Sequence, residues 1–105
     1  MSSINLFPTF QYSQPQAYRF SHDSVFLARS VFEYVVNHKL NFNTALDLCS
    51  GCGIVGLDFL FHLRSAKYVL PHFFDFLEVQ NEYKDHFYEN VKRLGSVSTQ
   101  IQLLI

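Results

Sequence analysis

Apolar and polar positions change their spacing several times along this chain, and each change marks an element. Leu27, Val31, Tyr34 and Val35 fall on one face at helical spacing. Ser21-His22-Asp23 precedes that stripe, and Ser21 or Asp23 can accept from unpaired backbone N–H groups, so the spacing predicts a helix from about Ser24 to His38. Asn41-Phe42-Asn43 breaks the pattern. Thr44 to Cys49 is a short apolar run whose one acid is Asp47, which reads as a buried strand. Ser50-Gly51-Cys52-Gly53 is a turn, and Ile54 to about Ser65 is a helix apolar enough to be largely buried. Pro71 ends whatever precedes it. Phe73 to Val79 is a second strand with Glu78 near its carboxyl end. Asn81 to Leu94 is the clearest amphipathic helix: Tyr83, Phe87, Val91 and Leu94 form the inward stripe, while Lys84, Asp85, Glu89, Lys92 and Arg93 face out. Gly95 is placed to stop it. Ile101 to Ile105 reads as a third strand. Ahead of these elements, Phe10 and Tyr12, then Tyr18 and Phe20, alternate with polar neighbours around Gln14-Pro15-Gln16-Ala17, which predicts an extended or hairpin arm.

The order strand, helix, strand, helix, strand implies a parallel sheet with right-handed crossovers. The expected fold is α/β: a three-layer Rossmann-like unit, with a parallel three-stranded half-sheet following an N-terminal arm and helix. Residues 1–40 would form the arm and helix and residues 41–105 the half-domain. Ligands of such sheets bind beyond the carboxyl ends of the strands, where the helices begin.

Composition narrows the function classes. A chain of 105 residues suits one domain, and 49% hydrophobic residues argue for a packed core over disorder. Most of the twelve Phe and six Tyr are expected to fill that core. A net charge of −1 offers no basic field for nucleic acid, although a small nucleic-acid substrate site stays possible. The densest apolar stretch, Val55 to Leu63, is interrupted by Asp58 and His62 and is too short to cross a bilayer. No charged start and apolar run follow Met1, so the expectation is a cytoplasmic protein with no membrane partner. Cys49 and Cys52 are the two cysteines. Their C-x-x-C spacing allows a redox pair at a helix start, but no second pair exists to complete a structural zinc site.

The glycine turn is the main chemical signal. Gly51-Cys52-Gly53-Ile54-Val55-Gly56 fits G-x-G-x-x-G, and it follows a predicted strand and opens a predicted helix. Glycines let the chain turn sharply and let a ligand approach the backbone. The helix start offers unpaired N–H groups. Glu78 lies about twenty residues on, where a carboxylate can accept from both hydroxyls of a ribose. Asp47, four residues before the first glycine, would repel a diphosphate but favour a cofactor carrying a sulfonium and an ammonium group. Cys49 and Ser50 then read as small residues lining the turn. No Lys-Ser or Lys-Thr follows the glycines, which excludes the triphosphate-binding loop.

Asp47-Leu48-Cys49-Ser50-Gly51-Cys52-Gly53 resembles the first motif of class I S-adenosylmethionine-dependent methyltransferases. Tyr18-Arg19-Phe20-Ser21-His22-Asp23-Ser24-Val25-Phe26-Leu27-Ala28 resembles the segment ahead of that motif in the tRNA1(Val) adenine-N6 methyltransferase and small-domain methyltransferase group. Phe76-Leu77-Glu78-Val79-Gln80 and the helix through Glu89-Asn90-Val91 resemble that group's second strand and following helix. The resemblance implies S-adenosylmethionine as cofactor and a nucleic-acid base amine, such as tRNA adenine N6, as acceptor. It implies that Asp47 holds the methionine amino group, that Gly51 and Gly53 let the cofactor cross the turn, that Glu78 binds the ribose and that Val79 packs on the adenine. Phe20, Ser21 and Asp23 would close the pocket over the methionine end, with a plain helix cap as the other reading of Asp23. The family's Asn-Pro-Pro-Tyr motif is not found in these residues, so none is expected to be catalytic and the chain by itself is expected to be inactive.

Two other readings stay open at this point. One is a nicotinamide-binding Rossmann oxidoreductase fragment; the other is a non-catalytic truncated domain that serves as an interaction partner. In the resembled fold the first strand is central. In a three-strand half-sheet it would be an open apolar edge, so self-association or a partner chain at that edge is expected.

Overall fold

The computed structural model describes residues 12–16 and 22–105. The elements run α1 (His22–Asn37), β1 (Thr44–Leu48), α2 (Ile54–Ser65), β2 (Phe73–Leu77), a 3-10 turn (Asn81–Tyr83), α3 (Lys84–Leu94) and β3 (Gln100–Leu104). The strands form one parallel sheet in the order β1-β2-β3. The chain is therefore α/β and compatible with a Rossmann-like arrangement. Residues 12–16 contain no regular element, and most of the expected arm lies outside the described residues.

Among the described residues the sheet carries helices on one face only, so these residues form two layers where the sequence predicts three. The reason is topological. Parallel β-α-β crossovers are right-handed as a rule, and here both steps move in the same direction across the sheet, which puts successive helices on the same side. Alternation along the strands shows which side that is. Phe74 and Phe76 point into the helices and are buried, as Ala45, Ile101 and Leu103 largely are. Leu46, Leu48, Phe73 and Leu104 point the other way and are exposed.

The core forms between α2, α3 and the inward residues of β2. Leu57, Leu60 and Leu63 of α2 are inaccessible to solvent, as is Phe87 of α3, which stacks at a tilt on Phe76 with ring centroids 4.9 Å apart. Phe74 packs parallel to Phe76 at 4.5 Å and edge-on to Phe59 at 6.3 Å. Arg64 at the end of α2 donates from Nη1 to the carbonyls of Leu94 and Ser96, at 2.7 and 3.0 Å. It thereby satisfies carbonyls that the end of α3 leaves free.

The buried face of α1 differs from the sequence expectation. Val25, Ala28 and Val35 are buried, with Phe32 packed against the core, whereas Leu27, Val31 and Tyr34 are exposed. This helix is apolar on more than one face. Ala28 decides between them, because a methyl side chain with no remaining exposure lets α1 lie close against α2.

Candidate ligand pocket at the glycine turn

β1 ends at Leu48, and the next five residues reverse the chain into α2. Cys49, Gly51 and Gly53 all have positive φ, at 57°, 57° and 86°. Ser50 N–H donates to Leu77 O at 3.0 Å, extending the β1–β2 ladder past the end of the strand, and Gly53 N–H closes the turn onto Ser50 O at 2.8 Å. The three glycines do different work. A Cβ on Gly51 would meet nothing within 4 Å, so the backbone there faces open space. A Cβ on Gly53 would lie 2.8 Å from the Phe87 ring, and one on Gly56 would run into the Phe76 ring. These last two absences serve the packing of α2 on the sheet and α3.

A cavity of about 130 Å³ opens at this turn. Asp47, Ser50 and Gly51 line it from the strand end and turn, Ser24 from α1, Tyr83 from the 3-10 turn and Gln14 from the N-terminal segment. Cys49 and Cys52 also contribute to its wall, while Gly53, Glu78 and Val79 do not. The Ser50 hydroxyl is buried and has no hydrogen-bond partner among the described residues. A buried polar atom left unpaired costs roughly 1–3 kcal/mol, so such atoms mark places where something else is meant to bind.

Asp47 accepts from Gly56 N–H at 3.2 Å. Burial, and secondarily the nearby Glu78 carboxylate, push its carboxyl up to about 6, against the opposing effect of the Gly56 hydrogen bond. A carboxylate held in this way is stabilised by a cation. Glu78 is buried, and both of its oxygens accept backbone N–H groups: Oε1 from Gly51 at 2.8 Å and Oε2 from Gln80 at 2.9 Å. It therefore ties the end of β2 to the glycine turn, and each oxygen keeps a second lone pair. Val79 lies just past β2 and is 79% exposed, an apolar platform beside that acid.

Asp23 is exposed in the first turn of α1, where its charge suits the unpaired N–H groups of a helix start. Its neighbour Ser24 lines the cavity instead. Phe20 and Ser21 lie outside the described residues. Cys52 is buried, and burial followed by the Glu78 charge pushes its thiol up to about 11, which keeps it protonated and unreactive near neutral pH. Cys49 is exposed. No group of three or more His, Cys, Asp or Glu able to hold a metal occurs among the described residues. Nor does any helix among them have the length and apolarity to cross a membrane.

Sequence reasoning missed the way residues 12–14 are held. Tyr12 O–H donates to Asp58 Oδ1 at 2.6 Å. Ser13 N–H donates to Asn90 Oδ1 at 2.6 Å, while Asn90 Nδ2 donates to Ser13 O at 2.9 Å and to Cys52 O at 3.0 Å. Ser13 Oγ and His86 Nδ1 share a hydrogen bond of 2.7 Å. Asp58 and Asn90 are fully buried. His62 Nε2 approaches Asp58 Oδ2 to 3.3 Å, near enough for an ion pair but not aligned as a hydrogen bond. Burial and then the Asp58 charge raise the Tyr12 phenol, so it remains a donor.

The chain matches no protein-family model, no curated protein and no solved structure.

Proposed function

We propose that this chain is the S-adenosylmethionine-binding portion of a methyltransferase. The observation that carries the reading is the cavity at the glycine turn, where the Asp47 carboxyl and a buried Ser50 hydroxyl with no partner among the described residues meet an open Gly51 backbone. A volume of about 130 Å³ is far below the roughly 300 Å³ of a site that encloses a whole drug-sized ligand. It suits the amino-acid end of the cofactor. The nucleoside would cross the open face of Gly51, place its ribose at Glu78 and lay its adenine on Val79. Asp47 favours a ligand ammonium and disfavours a diphosphate, which supports this cofactor over a nicotinamide dinucleotide. The acceptor class, a nucleic-acid base amine such as tRNA adenine N6, rests on the sequence resemblance alone.

Calorimetric titration with S-adenosylhomocysteine tests the reading. Asp47→Ala and Glu78→Gln should each weaken binding by roughly 1.5–3 kcal/mol, the usual loss for a hydrogen bond to a charged group. Unchanged affinity in both variants contradicts the assignment. The pH dependence has a definite sign. Asp47 must be ionised to hold an ammonium, so affinity should be level above about pH 7 and fall as pH drops through 6. Without ligand the same group acts in reverse. Its raised value means that ionisation opposes the fold, so its effect on stability is adverse and sets in as pH rises from about 4 to 6. Asp47→Asn should therefore stabilise the free protein at pH 7, on the order of 2 kcal/mol.

The outer edge of β1 pairs with no strand among the described residues. Leu46 and Leu48 beside it are 55% and 63% exposed. An apolar cavity of about 320 Å³ opens next to that edge, between Val31, Phe42, Leu46 and Phe59. Unpaired strand edges recruit other strands. A second copy related by a two-fold axis would pair β1 with β1 in antiparallel fashion. Light scattering over a concentration series should show a dimer forming, and a monomer at every concentration contradicts this pairing.

A further inference from the structure

We propose that the end of the fold opposite the glycine turn is a second binding surface, which holds single-stranded nucleic acid by its phosphates and bases. The proposal does not rest on the cofactor reading, because no residue lining the glycine-turn cavity takes part in it.

A net charge of −1 conceals an uneven distribution. The helices run antiparallel to the strands, so all three end where the strands begin. Lys39, Arg64, Lys67, Lys92 and Arg93, five of the chain's eight Lys and Arg, lie at or just past those helix ends. Asp23, Asp47, Glu78, Glu82 and Asp85 lie at the other end, where strands finish and helices start. Hydrogen bonds draw the three helix ends together. Tyr68 O–H, next to Lys67, donates to Leu40 O, next to Lys39, at 2.8 Å. Arg64 joins the end of α2 to the Leu94 carbonyl, beside Arg93, at 2.7 Å. Residues 1–11 and 17–21 contain a single Lys, Arg, Asp or Glu, which is Arg19, so the separation does not depend on where they lie.

Two of these lysines occupy backbone that favours glycine. Lys39 and Lys67 have φ of 53° and 57°. Each follows its helix in the same cap. Lys39 N–H donates to Val36 O and Leu40 N–H to Val35 O, at 3.1 and 3.0 Å; Lys67 N–H donates to Arg64 O and Tyr68 N–H to Leu63 O, at 3.0 and 2.9 Å. Glycine is the usual residue there. Both lysines are exposed, and neither forms an ion pair among the described residues, so the fold gains no contact from them. Arg93 is paired with Glu89 at 3.0 Å. The other four cations stand against roughly half a negative charge at each helix carboxyl end, so this end of the molecule stays positive.

Exposed rings stand among the cations. Tyr34, in the last turn of α1, is 57% exposed and stacks on His38 with ring centroids 4.0 Å apart. Phe73 begins β2, is 48% exposed and meets His72 edge-on at 6.5 Å. Cations alone suit any polyanion. Cations interleaved with exposed rings suit a strand that offers both phosphates and unstacked bases, since every base has a face that can stack on an aromatic ring. An acidic peptide or an anionic lipid surface would use the charges and leave the rings idle.

Fluorescence anisotropy with a labelled, unstructured RNA of about 20 nucleotides tests this, at salt between about 50 and 200 mM. Lys39→Gly and Lys67→Gly put the preferred residue at each cap, so both variants should fold at least as well as wild type, and melting curves confirm it. Each should weaken RNA binding about eightfold at the lowest salt and lower the slope of log affinity against log salt by about 0.7, the release of one counterion from a single strand. Tyr34→Ala should weaken binding at least about fivefold and leave the slope unchanged, because stacking releases no ion. Lys84→Gln removes a charge from the other end and should bind as wild type. Failure of the wild-type chain to bind RNA at the lowest salt overturns the proposal, as do lysine variants with wild-type affinity and slope. Wild-type affinity in Tyr34→Ala, or equal binding of polyglutamate or phosphatidylserine vesicles, shows that charge alone is read and overturns the nucleic-acid assignment.

Discussion

Replacing Asn90 with alanine should cost the fold about 3–5 kcal/mol. Three interactions end at that carboxamide: a buried one to Cys52 O and part-buried ones from Ser13 N–H and to Ser13 O. Truncation leaves these backbone groups without partners in a place water reaches poorly, at roughly 1–3 kcal/mol for each buried group left unmade, and adds a cavity. Some relaxation of residues 12–14 recovers part of the total. A domain of this size is stable by only about 5–15 kcal/mol, so the loss is a large fraction. At roughly 4–8 °C per kcal/mol, the melting temperature should fall by well over 10 °C. Thermal denaturation followed by circular dichroism measures it. Amide hydrogen exchange at Ser13 should speed up before the global transition, because residues 12–14 lose their anchor first. A change of less than about 1 kcal/mol would mean that this segment does not depend on Asn90.

Gly53→Ala should be nearly as damaging, about 2–5 kcal/mol, while Gly51→Ala should leave the fold largely intact. Both positions have positive φ, where an alanine costs roughly 1–2 kcal/mol. At Gly53 the new methyl also stands 2.8 Å from Phe87 and 3.0 Å from Leu57. Neither side chain has room to withdraw. Phe87 and Leu57 have no solvent exposure, and the Phe76 ring backs Phe87. Overpacking of this kind adds about 1–3 kcal/mol. At Gly51 nothing lies within 4 Å, so only the backbone term remains. The methyl there would instead occupy the space across which the ligand is proposed to pass. Urea denaturation and S-adenosylhomocysteine titration of the two variants separate these effects. Gly53→Ala loses stability; Gly51→Ala keeps most of it and loses binding.

These contrasts also show which parts of the molecule were legible in the sequence. The bounds of α2 were, because Gly53 stops the turn before it and a mostly apolar run fills it. The inward stripe of α3 was legible because its opposite face is charged at Lys84, Asp85, Glu89, Lys92 and Arg93. The face of α1 was not, since apolar residues occupy more than one side and Ala28 carries little hydrophobic signal of its own. Its importance is steric and depends on how near α2 comes. The helix-free face of the sheet required the strand order, which local spacing does not contain.

At the site, Asp47, Ser50 and Gly51 could be picked out because a motif groups them. Gln14, Tyr12 and Asn90 could not, as residues 46 to 77 positions apart in sequence meet only after the helices pack. One signal was available. Asp58 interrupts an otherwise apolar helix, and an acid buried on such a helix requires a partner; Tyr12 is that partner. Glu78 shows the converse. Its position suggested a ribose ligand, but its hydrogen bonds to Gly51 and Gln80 give it a structural task as well.

The most direct test of the central claim is an NMR titration of the 15N-labelled chain with S-adenosylhomocysteine, with NAD as the comparison. The account predicts saturable shifts from S-adenosylhomocysteine at the amides of Ser24, Ser50, Gly51 and Val79, small changes at the far ends of the strands near Thr44 and Gln100, and no saturable response to NAD. Shifts from S-adenosylhomocysteine confined to residues away from the glycine turn, or a stronger response at that turn to NAD, would contradict it.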